Sequence, residues 1–157
     1  MILTRGIEII MNAIWGNEAI WIPFFTWCTV QILKFILDLI SQKKANFRRL
    51  YGSGGMPSSH SALVMSLTTV AGLVEGFDSI AFAACFVFSM IVMYDAAGVR
   101  RAAGKQARVL NQILANYKEI NIQEKLVELL GHTPIEVFVG ALFGIVEAVA
   151  LYNVFWS

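Results

Sequence analysis

The chain has 157 residues, enough for one domain. Hydrophobic residues make up 57% of it and charged residues 15%, against about 45–50% and about 25% in soluble domains, which points to a bilayer as the solvent. A net charge of +1 with no long basic run excludes a nucleic-acid footprint. Cys28 and Cys85 both fall in apolar stretches without zinc or redox spacing, and read as small buried hydrophobes.

Residues 1–18 are apolar but broken by Glu8 and Asn12, a pattern for an interfacial helix or a helix extension. The first span is expected from Ile20 to Ile40, near the ~20 residues that cross ~30 Å of hydrocarbon. It carries Lys34 and Asp38 four apart, on one helix face. A basic, Gly-rich stretch follows, from Ser41 to His60. A second span is expected over Ser61–Val74, a turn at Glu75-Gly76-Phe77-Asp78, and a third span over Ser79–Tyr94. Both are short for a bilayer, so they must begin inside longer helices or thin the membrane locally. Asp95 to Gly131 is a second polar segment, with helix formers from Ala96 to Asn116. The last span runs from Pro134 to Trp156, with proline suited to the first helical turn.

The expected fold is therefore all-α: one membrane-embedded domain of about four transmembrane helices plus interfacial helices. Four spans put segments 41–60 and 95–136 on the same side. Ten of the 12 cations lie there: Lys43, Lys44, Arg48, Arg49, Arg100, Arg101, Lys105, Arg108, Lys118 and Lys125. The positive-inside rule makes that side cytoplasmic.

The only two histidines, His60 and His132, each stand at the mouth of a span on that side. A histidine pair with arginines between suits phosphoryl transfer: one imidazole can attack phosphorus while the other protonates the leaving oxygen. Gly52, Gly54 and Gly55 let backbone approach a ligand closely. Pro57, Ser58 and Ser59 open the second span, where helix-start N–H groups and hydroxyls favour an anion, although Ser58 also suits a helix N-cap. Arg100 and Arg101 diverge by about 100° on a helix, so one is free for phosphate oxygens while the other pairs with Asp95 or lipid headgroups. Glu136, four residues after His132, is placed to hold one ring nitrogen and free the other; a helix-start acid favoured by the dipole also fits that position. Lys34 is a further candidate phosphate ligand, because intramembrane ions default to function. Glu147 has no assigned role.

Three runs carry a resemblance to a known family. Gly54-Gly-Met-Pro-Ser-Ser-His-Ser61, Asp95-Ala-Ala-Gly-Val-Arg-Arg101 and Leu129-Leu-Gly-His-Thr-Pro-Ile-Glu-Val137 together resemble the divergent bacterial branch of the type-2 phosphatidic acid phosphatase superfamily, which also holds vanadium haloperoxidases. The resemblance implies a bacterial inner-membrane phosphatase that uses no metal and no cofactor. It implies His132 as nucleophile through a phosphohistidine, His60 as general acid, and Glu136 as the group orienting His132. Ser58, Ser59, Arg100 or Arg101, Asp95 and Lys34 would form the substrate site. Phosphatidic acid, phosphatidylglycerophosphate and polyprenyl diphosphate are the substrate candidates. The implied partners are membrane lipids, with a homo-oligomer left open. The pattern departs in three places. The usual first motif is absent, with Lys34, Arg48 and Arg49 its nearest substitutes. Ser59 replaces a glycine, and about thirty residues separate Arg101 from His132 where the superfamily has about five. A non-catalytic lipid-phosphate binding protein is the alternative from another class.

Overall fold

In a computed structural model, residues 2–42, 55–116, 125–128 and 130–156 are described. Lys43, Lys44, Arg48, Arg49, Gly52, Gly54 and Lys118 lie outside them. The described residues form six helices: α1 Ile2–Trp15, α2 Glu18–Gln42, α3 Ser59–Glu75, α4 Ile80–Ala97, α5 Val99–Asn116 and α6 Pro134–Phe155. The protein is an all-α membrane bundle. Three stretches are long and apolar enough to cross a bilayer: Glu18–Ser41, the run Ile80–Asn116 whose apolar part is α4, and Pro134–Phe155.

The expected second span, α3, is the hub of the bundle and packs against α2, α4 and α6. It has 17 residues, longer than the sequence suggested, because Ser59 and His60 are already helical with Ser58 as N-cap. In the same way α4 runs on to Ala97, so Asp95 lies in its last turn rather than in the polar segment. The outer helices show why burial here runs opposite to a soluble core. Only 11% of the most apolar window in Ile80–Asn116 is buried, and Val87, Phe88, Met90 and Ile91 on α4 and Phe138 and Val146 on α6 are exposed. Apolar surface on that scale is untenable in water and natural against lipid.

Inside the bundle, small residues and hydroxyls replace large hydrophobes, because lipid supplies no hydrophobic drive and helices must associate by close packing and hydrogen bonds. Thr26 on α2 meets Ser66 on α3 at 3.2 Å, and Thr68 on α3 meets Ser89 on α4 at 2.7 Å. Such bonds each contribute about 0.6 kcal/mol in a membrane. Gly140 and Gly144, one turn apart on α6, lie directly on the backbone of Ser58 and Ala62, leaving no room for a Cβ. That contact brings the start of α3 against the start of α6.

Candidate functional site

Glu136 organises the entry to α6. Its Oε2 accepts from the backbone N–H of Thr133 at 3.0 Å, while Thr133 Oγ1 accepts from the Glu136 N–H at 3.3 Å. This is a reciprocal capping box. The same Oε2 lies 3.1 Å from His132 Nδ1. The two readings open for Glu136, helix-start acid and histidine partner, are thus both realised by one oxygen.

His132 is 3% exposed. With Nδ1 taken by the carboxylate, its Nε2 is buried and makes no hydrogen bond among the described residues. A buried polar atom in that state calls for an explanation, and a nitrogen lone pair reserved for a ligand is one. Burial pushes the imidazole below its ordinary pKa, the Glu136 carboxylate partly offsets this, and the Lys34 and Arg100 charges push it down further. The ring is therefore neutral near pH 7, the form with a free lone pair.

The chain separating Arg101 from His132 leaves along α5 and returns. On the return, Asn111 Nδ2 donates to Leu126 O at 2.9 Å and to Glu128 Oε1 at 2.9 Å, and Asn111 Oδ1 accepts from the Leu126 N–H at 3.0 Å. Gly104 lies against the backbone at Glu128 and Leu130. Gly131, at φ 82°, sits on the Arg100–Arg101 backbone where no Cβ fits. The His132 N–H then donates to Ala96 O at 2.9 Å. The long insertion accordingly leaves His132 beside the arginine pair.

A cavity of about 300 Å³ opens there, lined by Arg101, Lys105, Arg108, His132, Thr133, Glu136 and Gly55, among others. Glu128 also lines it and accepts from Arg108 Nε at 3.3 Å; the cations and the ring nitrogen give the cavity groups of the kind that suit an oxyanion. The arginine pair divides as its angular divergence allows: Arg100 Nε donates to Asp95 Oδ2 at 2.6 Å, and Arg101 faces the cavity. Asp95 is thereby engaged by an arginine.

The other candidates lie at the start of α3. Ser58 is fully buried and caps the helix, accepting from the Ser61 N–H at 3.4 Å and the Ser61 hydroxyl at 3.0 Å; its own N–H donates to Glu136 O at 3.1 Å. Ser59 Oγ accepts from Lys34 Nζ at 3.3 Å, so the buried lysine of α2 reaches the serine motif. His60 is half-buried and does not line the cavity. It nonetheless shares an electrostatic neighbourhood with Arg100, His132, Lys34 and Asp95. Lys105, Arg108 and the capping threonine were not singled out as site residues from sequence. The pattern Thr-x-x-Glu at 133–136 was the available signal for the last.

Comparison with known proteins bears on this geometry. The Divergent PAP2 family matches residues 15–147, a range that includes every candidate above. A Bacillus subtilis (strain 168) protein named "Uncharacterized membrane protein YuiD" is 42% identical over 134 residues, covering 77% of this chain and 85% of the relative. No solved structure matches. With the family pattern spanning all three motifs and the membrane helices that position them, the chain belongs to the Divergent PAP2 family.

Proposed function

We propose that the protein is a metal-independent phosphatase of membrane lipid phosphates, acting from the cytoplasmic face through a phosphohistidine on His132. One observation carries this: the His132 Nε2 is buried and without a hydrogen-bond partner among the described residues, in a cavity lined by three cations, while Nδ1 is held by Glu136. In the first step the Nε2 lone pair attacks phosphorus in line, the P–O ester bond breaks, and the departing alkoxide takes a proton from His60. In the second step water attacks the phosphohistidine, His60 takes its proton, and the P–N bond breaks to release phosphate. Arg101, Lys105 and Arg108 offset charge on the equatorial oxygens. Glu136 steadies the cationic ring and its tautomer.

A lipid rather than a soluble substrate is supported by a second groove of about 450 Å³ on α5, lined by Lys105, Gln106, Val109 and Leu110. Lys105 borders both spaces, so a headgroup held by the cations has an apolar path for its chain. A phosphate-binding role without turnover is the other reading, favoured by the position of His60 outside the cavity lining. A phosphate-release screen of the purified protein over phosphatidic acid, phosphatidylglycerophosphate and a polyprenyl diphosphate, with His132→Ala as control, separates the two. Release that His132→Ala abolishes supports the phosphatase. Binding of the same lipids without release supports the binding protein.

A further inference from the structure

Glu147 is an acid in the apolar stretch of α6, about eleven residues or roughly 16 Å along the helix from Glu136, and the mechanism above makes no use of it. Its carboxyl turns toward α2 and interacts with the hydroxyls of Thr29 and Thr26. It also borders a cavity of about 340 Å³ whose other walls are Phe25, Thr29, Leu151, Phe155 and Trp156. One oxygen, Oε2, is buried and makes no hydrogen bond among the described residues. An apolar cavity with one convergent polar group is the usual form of a small-ligand site, and an intramembrane carboxyl needs a partner to justify its desolvation.

The surroundings indicate what that partner is. Phe25 and Phe155 are exposed, so the cavity mouth faces lipid. Trp15 stacks on Trp21 at 4.7 Å and Phe155 packs on Trp156 at 5.9 Å, forming an aromatic cluster of the kind found at a bilayer interface. Glu147 lies roughly 13 Å below Trp156 along α6, too deep for a charged lipid headgroup. The Thr29 hydroxyl also donates to Phe25 O at 3.0 Å, so its proton is shared with the α2 backbone, and among the described residues nothing donates to the buried Oε2. An alcohol supplies a donor without bringing a charge into the apolar cavity: its O–H donates to Oε2.

We infer that the cavity between α2 and α6 binds the hydroxyl end of a long-chain neutral alcohol lipid, entering laterally from the bilayer with Glu147 as its polar anchor. The site is separate from the His132 centre and does not depend on turnover there.

The test uses full-length protein in nanodiscs and a photoactivatable long-chain primary alcohol, with crosslinks mapped by mass spectrometry. Saturable labelling is expected at Phe25, Leu151 or Phe155. It should be displaced by unlabelled alcohol but not by the methyl ether or primary amine of equal chain length. Glu147→Leu should weaken it at least about tenfold, the scale of a lost buried hydrogen bond, while Glu147→Gln, which keeps a donor and an acceptor, should retain most of it. Thermal melting of both variants reports on folding, and His132→Ala should label like the parent. Equal displacement by the ether, or unchanged labelling of a folded Glu147→Leu, would show an unspecific lipid crevice and overturn the inference. Preferential displacement by the amine would make this a cation site and overturn it as well.

Discussion

Replacing Glu136 by alanine and by glutamine separates what its carboxylate does for the fold from what it does for His132. Oε2 accepts from the Thr133 N–H at 3.0 Å and sits 3.1 Å from His132 Nδ1. Alanine removes both acceptors. Losing the cap interaction costs about 0.5–2 kcal/mol, and stranding a buried ring N–H costs a further 1–3 kcal/mol or so. We expect Glu136→Ala to lose about 2–4 kcal/mol, a fall in melting temperature of about 4–16 °C for a chain of this size. Glutamine keeps an oxygen in place of Oε2, so Glu136→Gln should melt within about 3 °C of the parent. It removes the negative charge that steadies the imidazolium, and phosphatase turnover should still fall by about 10²–10⁴. The assays are thermal unfolding in nanodiscs and phosphate release under saturating lipid phosphate. Equal destabilisation in both variants, or a stable Glu136→Gln of parental activity, would refute the assignment of two tasks to one oxygen.

Other outcomes follow from the same geometry. His60→Ala should leave formation of the phosphoenzyme from an aryl phosphate nearly unchanged, since that leaving group needs no proton, and slow its formation from a lipid alkoxide by about 10²–10⁴; equal loss of that first step on both would remove His60 as the acid. Vanadate should compete with substrate by mimicking the in-line transition state at His132, whereas EDTA should leave activity unchanged; inhibition by EDTA that magnesium reverses would reject the histidine mechanism. Because the His132 pKa is lowered, the acidic limb of the activity profile should lie below about pH 6.5. Removing the Glu136 charge takes away a raising influence, so Glu136→Gln should move that limb further down; an upward move contradicts the origin given for the shift. A group with its folded pKa depressed loses stability as pH falls from its unfolded value through its folded one, so unfolding monitored from pH 7 to 5 should show a decline that His132→Ala lessens. Gly144→Leu forces a side chain into the Ala62 backbone; it should separate α3 from α6 and cost more than about 3 kcal/mol, read as loss of the monodisperse folded species.

The helices and the site were unequally legible. Apolar runs bounded by charge located α2, α4 and α6 to within a few residues, since hydropathy alone sets those segments. α3 was located as closely, within two residues; as the central helix it carries Ser59, Ser61, Ser66, Thr68 and Thr69 as buried hydroxyls, which read as polar in sequence but bond to Lys34, Thr26 and Ser89 on neighbouring helices or to Ser58 and Met65 nearby in the chain. The pairing of Glu136 with His132 could be foreseen, because four residues is one helical turn. Its overlap with the Thr133 cap could also have been read from Thr-x-x-Glu, and the glycine pair 140 and 144 from its spacing. What brings His132 beside Arg101 could not. It depends on Asn111 gripping Leu126 and Glu128, and on Gly104 and Gly131 clearing space for backbone, contacts between segments that no local pattern links. The division of labour between Arg100 and Arg101 likewise awaited the position of Asp95 in the last turn of α4.

The most direct measurement is rapid, acid-free quench of the purified protein with a ³²P-labelled lipid phosphate, followed by mapping of the labelled peptide. We expect phosphate bonded to His132 in the parent and no label in His132→Ala. Turnover that proceeds unchanged in His132→Ala, or label recovered on another residue, would contradict a phosphohistidine at His132.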